Sequence, residues 1–100
     1  MVDIYSIFKT TEYDEWIEQC SDKAKAQIAS RLEKIAKYGH FGTIRDLEDG
    51  LWELKWKSGR RVYYAYIEEL NILLLLGGNK NGQNKDITKA RKILSKKIED

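Results

Sequence analysis

Leu51-Trp52-Glu53-Leu54-Lys55-Trp56-Lys57-Ser58-Gly59-Arg60-Arg61-Val62-Tyr63-Tyr64-Ala65-Tyr66 decides the fold of this 100-residue chain. Trp52, Leu54 and Trp56 alternate with Glu53, Lys55 and Lys57, and Val62, Tyr64 and Tyr66 alternate with Arg61, Tyr63 and Ala65. A period of two is that of a strand with two unlike faces, and Ser58-Gly59 between two such runs marks a hairpin. A three-residue loop of Lys57, Ser58 and Gly59, with the glycine in a left-handed bulge position, pairs Trp56 with Arg60, Lys55 with Arg61, Leu54 with Val62 and Glu53 with Tyr63. A two-residue turn would put Arg61 on the tryptophan face and bury its charge without a partner, so the bulged loop is expected.

Downstream, Asn71 to Leu76 is apolar on both faces and short, as suits a covered central strand, and Gly77-Gly78 is expected to end it. Asn84 is the expected cap of a last helix whose Ile87, Ala90, Leu94 and Ile98 form one stripe. Upstream, Asp3 to Phe8 reads as a first strand. Thr11 and Asp14 stand at capping-box spacing before a short helix through Tyr13, Trp16 and Ile17. Ser21 starts a longer helix with Ala24, Ile28, Leu32, Ile35 and Ala36 on one stripe, and Gly39 is placed for a left-handed C-terminal cap. Residues 40–50 read as a loop. The fold class is therefore α+β: strand, two-helix hairpin, three antiparallel strands continuing the sheet, and a C-terminal helix. With no proline, repeat or low-complexity linker, residues 1–100 read as one domain.

Composition narrows the function classes. A single Cys20 allows no internal disulfide, and one cysteine with one histidine cannot supply a four-ligand zinc site, so neither a metal nor any other cofactor is expected. The longest apolar run, Ile72 to Leu76, is too short to span a bilayer, and the N-terminus has no signal pattern, so a cytoplasmic protein without a membrane partner is expected. The net charge of +2 hides polarity along the chain. Residues 1–54 carry 7 Lys/Arg against 11 Asp/Glu, whereas residues 55–97 carry 11 against 3. A basic second half suits a polyanion-facing surface or, alternatively, a set of solvated helix faces.

The odd-numbered hairpin face collects Lys55, Lys57, Arg61 and Tyr63. It reads either as an ordinary solvated sheet face, with Glu53 paired diagonally to Arg61, or as a phosphate cradle with Tyr63 offering a stacking plane to a base. Gly77-Gly78-Asn79-Lys80-Asn81-Gly82-Gln83, leading into a helix, is either a plain Gly/Asn-rich loop or a place where backbone approaches an anion. It matches neither the P-loop nor the dinucleotide pattern. Elsewhere the bland readings lead: His40 packs in a loop, Cys20 is a small hydrophobe, Trp16, Trp52 and Trp56 belong to the core, and Glu12, Asp14, Glu15 and Glu18 form a solvated helix face.

Leu51 to Lys55, Gly59 to Tyr64, Leu73 to Lys80, Gln83, Asp86-Ile87 and Ala90 together resemble the toxins of the RelE/ParE superfamily, and most of all the HigB-like, often phage-derived, addiction-module killer proteins. The resemblance covers nearly the whole chain and is most specific from Gly77 to Ala90. It implies the toxin of a type II toxin–antitoxin system, an mRNA endoribonuclease that inhibits translation, works without a metal and usually cuts on the ribosome. It also implies a cognate antitoxin, often of helix-turn-helix type, as partner. Such cleavage needs a base for the ribose 2′-OH, cations for the phosphorane-like transition state and an acid for the leaving oxygen. The resemblance assigns Arg61 to the transition state and Lys80 to phosphate or leaving group; both are expected to be exposed. Lys55, whose protonated form is disfavoured by the neighbouring Arg61 and Lys57, is the candidate base. Lys57, Arg60, Tyr63, Gln83, Lys85 and Asp86 are the expected RNA contacts. The last helix has neither tyrosine nor histidine, which leaves the acid unassigned. Two other functions fit the same family: a ParE-like toxin that binds gyrase, and an inactive remnant kept for antitoxin binding and operon regulation.

Overall fold

The computed structural model describes residues 2–99. The elements follow in the order β1 (Ser6–Lys9), α1 (Thr11–Glu18), α2 (Asp22–Tyr38), β2 (Ile44–Asp46), β3 (Trp52–Lys55), β4 (Arg60–Glu68), β5 (Asn71–Asn79), a single 3-10 turn (Lys80–Gly82) and α3 (Gln83–Glu99). They build one five-stranded sheet of order β1-β5-β4-β3-β2. All neighbouring strands run antiparallel except β1 and β5, which are parallel. The parallel pair is allowed because the two-helix hairpin and three strands lie between them in sequence.

The hairpin forms as its alternation dictates. Lys55 pairs with Arg61, Leu54 with Val62 and Glu53 with Tyr63. The Trp56 N–H donates to the Arg60 carbonyl (3.1 Å), the Gly59 N–H donates back to Trp56 (3.0 Å), and Gly59 has φ of 103°. Only glycine takes that backbone conformation without strain.

Two apolar layers sandwich the sheet. Leu54, Val62, Tyr64, Ile72 and Leu74 pack with Tyr13 of α1 and Ile35 of α2. Tyr63, Ala65, Leu75 and Leu76 pack on the opposite face with Ala90 and Ile93 of α3 and with Leu47 and Leu51. A bulge in β5 makes this possible: Tyr63 pairs with Leu76 and Tyr64 with Leu74, so Leu75 is an extra residue and the alternation of β5 slips by one there. The continuous apolar run of β5 thus serves both layers.

Several boundaries differ from the sequence reading. The cap of α1 is Thr10, not a Thr11–Asp14 box: its Oγ1 accepts from the Tyr13 N–H (3.0 Å) and donates to the Leu75 carbonyl (2.8 Å). Its own N–H is already bonded to Leu74 at the end of β1, so strand passes into helix without a spacer. Ser21 and Gly39 cap α2 as expected. The loop after α2 contains β2, three exposed residues too short to show a period.

The glycines do not end β5 but lie within it. A Cβ on Gly77 would stand 2.3 Å from the Trp16 indole, and one on Gly78 would stand 2.1 Å from an Asp86 carboxylate oxygen. Each face of the strand is filled from a different helix, and only hydrogen fits. Asn79, not Asn84, begins the next helical segment, with its side chain accepting from the Asn81 N–H, and α3 starts at Gln83. Ile93 belongs to the buried stripe of α3, whereas Ile98 is 72% exposed. Trp16, Trp52 and Trp56 pack half-buried against the core instead of inside it. Among the described residues, no helix is long and apolar enough to cross a membrane.

Candidate functional site

At the hairpin turn the sheet, the 3-10 turn and the start of α3 meet. Lys55, Lys57, Arg61 and Lys80, with Thr43, Trp56 and Gly59, line one pocket of about 300 Å³. Lys55 and Arg61 are cross-strand partners on the odd face. Lys80 arrives from β5: its N–H donates to the Gly59 carbonyl (2.8 Å), and its aliphatic stem lies over Gly59, where a Cβ would sit 3.3 Å from Lys80 Cδ. Gly59 therefore both turns the hairpin and makes the floor under Lys80. Lys80 itself is exposed.

Arg61 is not exposed as the sequence suggested. It is only 9% exposed, and its Nη1 donates to the carbonyls of Arg60 (2.9 Å) and Trp56 (3.1 Å). Behind it stands Glu53, 0% exposed, whose Oε1 lies 3.9 Å from Arg61 Nε and 3.7 Å from Arg45 Nε. Glu53 Oε2 accepts from Gln83 Nε2 at 2.6 Å. The pairing of Glu53 with Arg61 was legible from register; the added contacts from β2 and α3 were not. A buried carboxylate is costly unless paired and hydrogen-bonded, and here three elements supply partners.

Beyond the pocket, around Glu53 and Tyr63, the odd face is thus covered by α3 and not solvated. Tyr63, expected to stack on a base, is 0% exposed within the apolar layer. Burial, together with the nearby Glu53 and Asp86 carboxylates, pushes its phenol up. It cannot offer a ring face to a ligand. Asp86 leans over Gly78, the pairing partner of Arg61, and lies outside the lysine-lined pocket; burial raises its carboxyl, an effect countered by Lys89 and Lys85. Gln83 and Lys85 line a neighbouring concavity of about 360 Å³ that begins at Lys80. Arg60 turns toward α2, with Nη1 bonded to Gln27 Oε1 (3.0 Å).

Sequence reasoning missed Arg31. Its three donors reach the carbonyls of Phe41 (2.8 Å), Lys55 (2.5 Å) and Thr43 (2.7 Å), and its guanidinium lies 4.3 Å above the Trp56 ring. It fastens α2, the 40s loop and the end of β3 together, and burial lowers its pKa. The signal was a charge three residues after Ile28 and four before Ile35, on the buried stripe. Among the described residues no three His, Cys, Asp or Glu side chains gather as a metal site would require.

Residues 15–97 match the family described as phage derived protein Gp49-like (DUF891). The chain belongs to this Gp49-like family. An uncharacterized protein of Haemophilus influenzae is 35% identical over 85 residues, which are 82% of this chain and 85% of that protein. The fold is that of RelE toxins: a free-state Escherichia coli RelE double mutant superimposes with a TM-score of 0.70 over 92% of this chain and 97% of its own, at 14% identity. The toxin–antitoxin complex RelBE2 from Mycobacterium tuberculosis gives 0.58 over 79% and 93%, at 15% identity.

Proposed function

We propose that this Gp49-like protein is a one-domain toxin that inhibits translation by cutting mRNA on the ribosome, in the cytoplasm and without a metal. One observation carries the reading: Lys55, Lys57, Arg61 and Lys80, of which the family resemblance assigns roles to Arg61 and Lys80, converge on a single pocket with no acidic residue in its lining. A phosphodiester, a monoanion that approaches a dianion in its phosphorane-like transition state, is the group such a pocket suits, because preorganised cations are worth most where charge develops.

Lys55 takes the proton of the ribose 2′-OH. The 2′ oxygen attacks phosphorus, and the bond from phosphorus to the 5′ oxygen breaks. Arg61, held by the two hairpin carbonyls, and Lys57 stabilise the added negative charge, and the Lys80 ammonium gives a proton to the departing oxygen. The products are a 2′,3′-cyclic phosphate and a 5′-hydroxyl. Gln83 and Lys85 hold the flanking strand. Arg60 contributes to the field, whereas the buried Tyr63 and Asp86, which lies outside the pocket, make no contact with RNA in this reading. Solved structures of the same fold in toxin–antitoxin complexes support a cognate antitoxin as partner, and the family resemblance makes its type helix-turn-helix.

Brief induction without antitoxin, followed by mapping of transcript 5′ ends, tests this. In-frame cuts confined to translated regions are expected. Intact transcripts with a DNA-damage response would transfer the chain to the gyrase-binding class, and harmless expression would make it an inactive remnant.

A further inference from the structure

The lysine pocket is the middle of a longer feature. On one side it shares Thr43, Lys55, Trp56 and Lys57 with an open cleft of about 820 Å³ between α2 and the hairpin turn, whose far wall carries Lys34, Ser30 and Gln27. On the other side it shares Lys80 with the concavity that ends at Lys85, at the start of α3. No aspartate or glutamate lines any of the three. That is unusual on a chain with 16 acidic residues. A groove that carries several cations and no anion focuses field along its length.

We infer that these three concavities form one track for single-stranded RNA, and that the α2 cleft is a second binding subsite in which Lys34 takes a backbone phosphate beyond the scissile one. The inference rests on the nuclease reading and adds to it the path and polarity-neutral length of the substrate. Arg31, although it lines the cleft, is committed to three carbonyls and Lys55 is the base of the proposed reaction, so Lys34 and Lys57 are the cations left to meet phosphates there. Lys34 is exposed and takes part in no ion pair among the described residues, whereas its neighbour Lys37 is bound to Glu33 at 2.7 Å. Trp56 and His40 give the cleft two ring surfaces beside its amide, hydroxyl and ammonium groups. Rings on which bases can stack, set between cations with no carboxylate among them, are the lining a single-stranded polynucleotide calls for.

The test is binding of labelled single-stranded RNA of about 4 and about 12 nucleotides by the full chain, at several salt concentrations. Lys34→Ala is expected to weaken the longer RNA about threefold to fivefold at low salt, lower its salt slope by about 0.7, and leave the short RNA unchanged. Lys34→Arg should restore the loss. Equal binding of both lengths by wild type and Lys34→Ala overturns the track, while loss of binding in Arg61→Lys would leave the nuclease pocket standing. No binding of either RNA at low salt also overturns it, and transcript mapping then judges the nuclease reading by itself. A polyglutamate peptide that displaces the longer RNA at equal charge concentration would assign the cleft to a protein partner instead.

Discussion

Glu53 Oε1 and Arg61 Nε lie 3.9 Å apart across β3 and β4, the carboxylate fully buried and the guanidinium nearly so. The residue proposed to stabilise the transition state is therefore also a counter-charge of the fold. Arg61→Ala is expected to lower stability by about 3 kcal/mol, because it strips a partner from a buried carboxylate and leaves only the half-exposed Arg45 and Gln83. Loss of toxicity in that variant would not by itself identify a catalytic group. A urea titration of the purified variant decides it: an unchanged midpoint would mean that the pair contributes nothing to folding.

Lys80 separates the two roles. It is exposed, with its stem over Gly59, and it lines the pocket. Lys80→Ala should change stability by no more than about 0.5 kcal/mol. Removing one preorganised cation from a phosphoryl transition state should lower the cleavage rate about 100-fold. Full cleavage of ribosome-bound transcripts by this variant, with a normal melting temperature, would remove Lys80 from the mechanism.

How much of this was legible beforehand follows from what sets each feature. The hairpin register and its bulged turn were readable because alternation and a glycine fix them locally. The grouping of Lys55, Arg61 and Lys80 came through the family resemblance, and the structure brings them together. Three things were hidden. The burial of Arg61 and Tyr63 depends on where α3 docks, and one strand's pattern carries no record of a helix that covers it. The slip at Leu75 is invisible in a run that is apolar at every position. Gly77 and Gly78 read as a strand end because glycine usually marks one, but here the helices need the room.

The buried tyrosines give the protein an alkaline limit. Burial is the main cause that pushes Tyr13 up to about 12, and it also pushes Tyr63 and Tyr64 upward. A group whose folded pKa exceeds its unfolded value stabilises the fold below the unfolded pKa, here about 10, and loses that contribution as pH rises toward the folded one. The melting temperature should hold up to about pH 9 and fall between about 10 and 12. Tyr13→Phe, which removes one of the three phenols, should soften the fall. Tyrosinate absorbance tracked beside the melt checks the order of events: ionisation of these three before unfolding would contradict their burial.

Gly77 offers a test in which two effects have opposite signs. Replacing a strand glycine by alanine restricts the unfolded chain and should stabilise by about 0.4 to 1 kcal/mol where the new methyl fits. At Gly77 it would stand 2.3 Å from three carbons of the Trp16 indole, and α1 cannot simply retreat, because Thr10 anchors its start to β5 through the Leu75 carbonyl. Overpacking of this kind costs about 1 to 3 kcal/mol, so Gly77→Ala should destabilise the wild-type protein. In a Trp16→Ala background the obstruction is gone, and the same substitution should become neutral or stabilising, giving a coupling of about 1 to 3 kcal/mol in a double-mutant cycle. An additive cycle would mean that the indole swings aside at no cost and that the glycine answers to something other than Trp16.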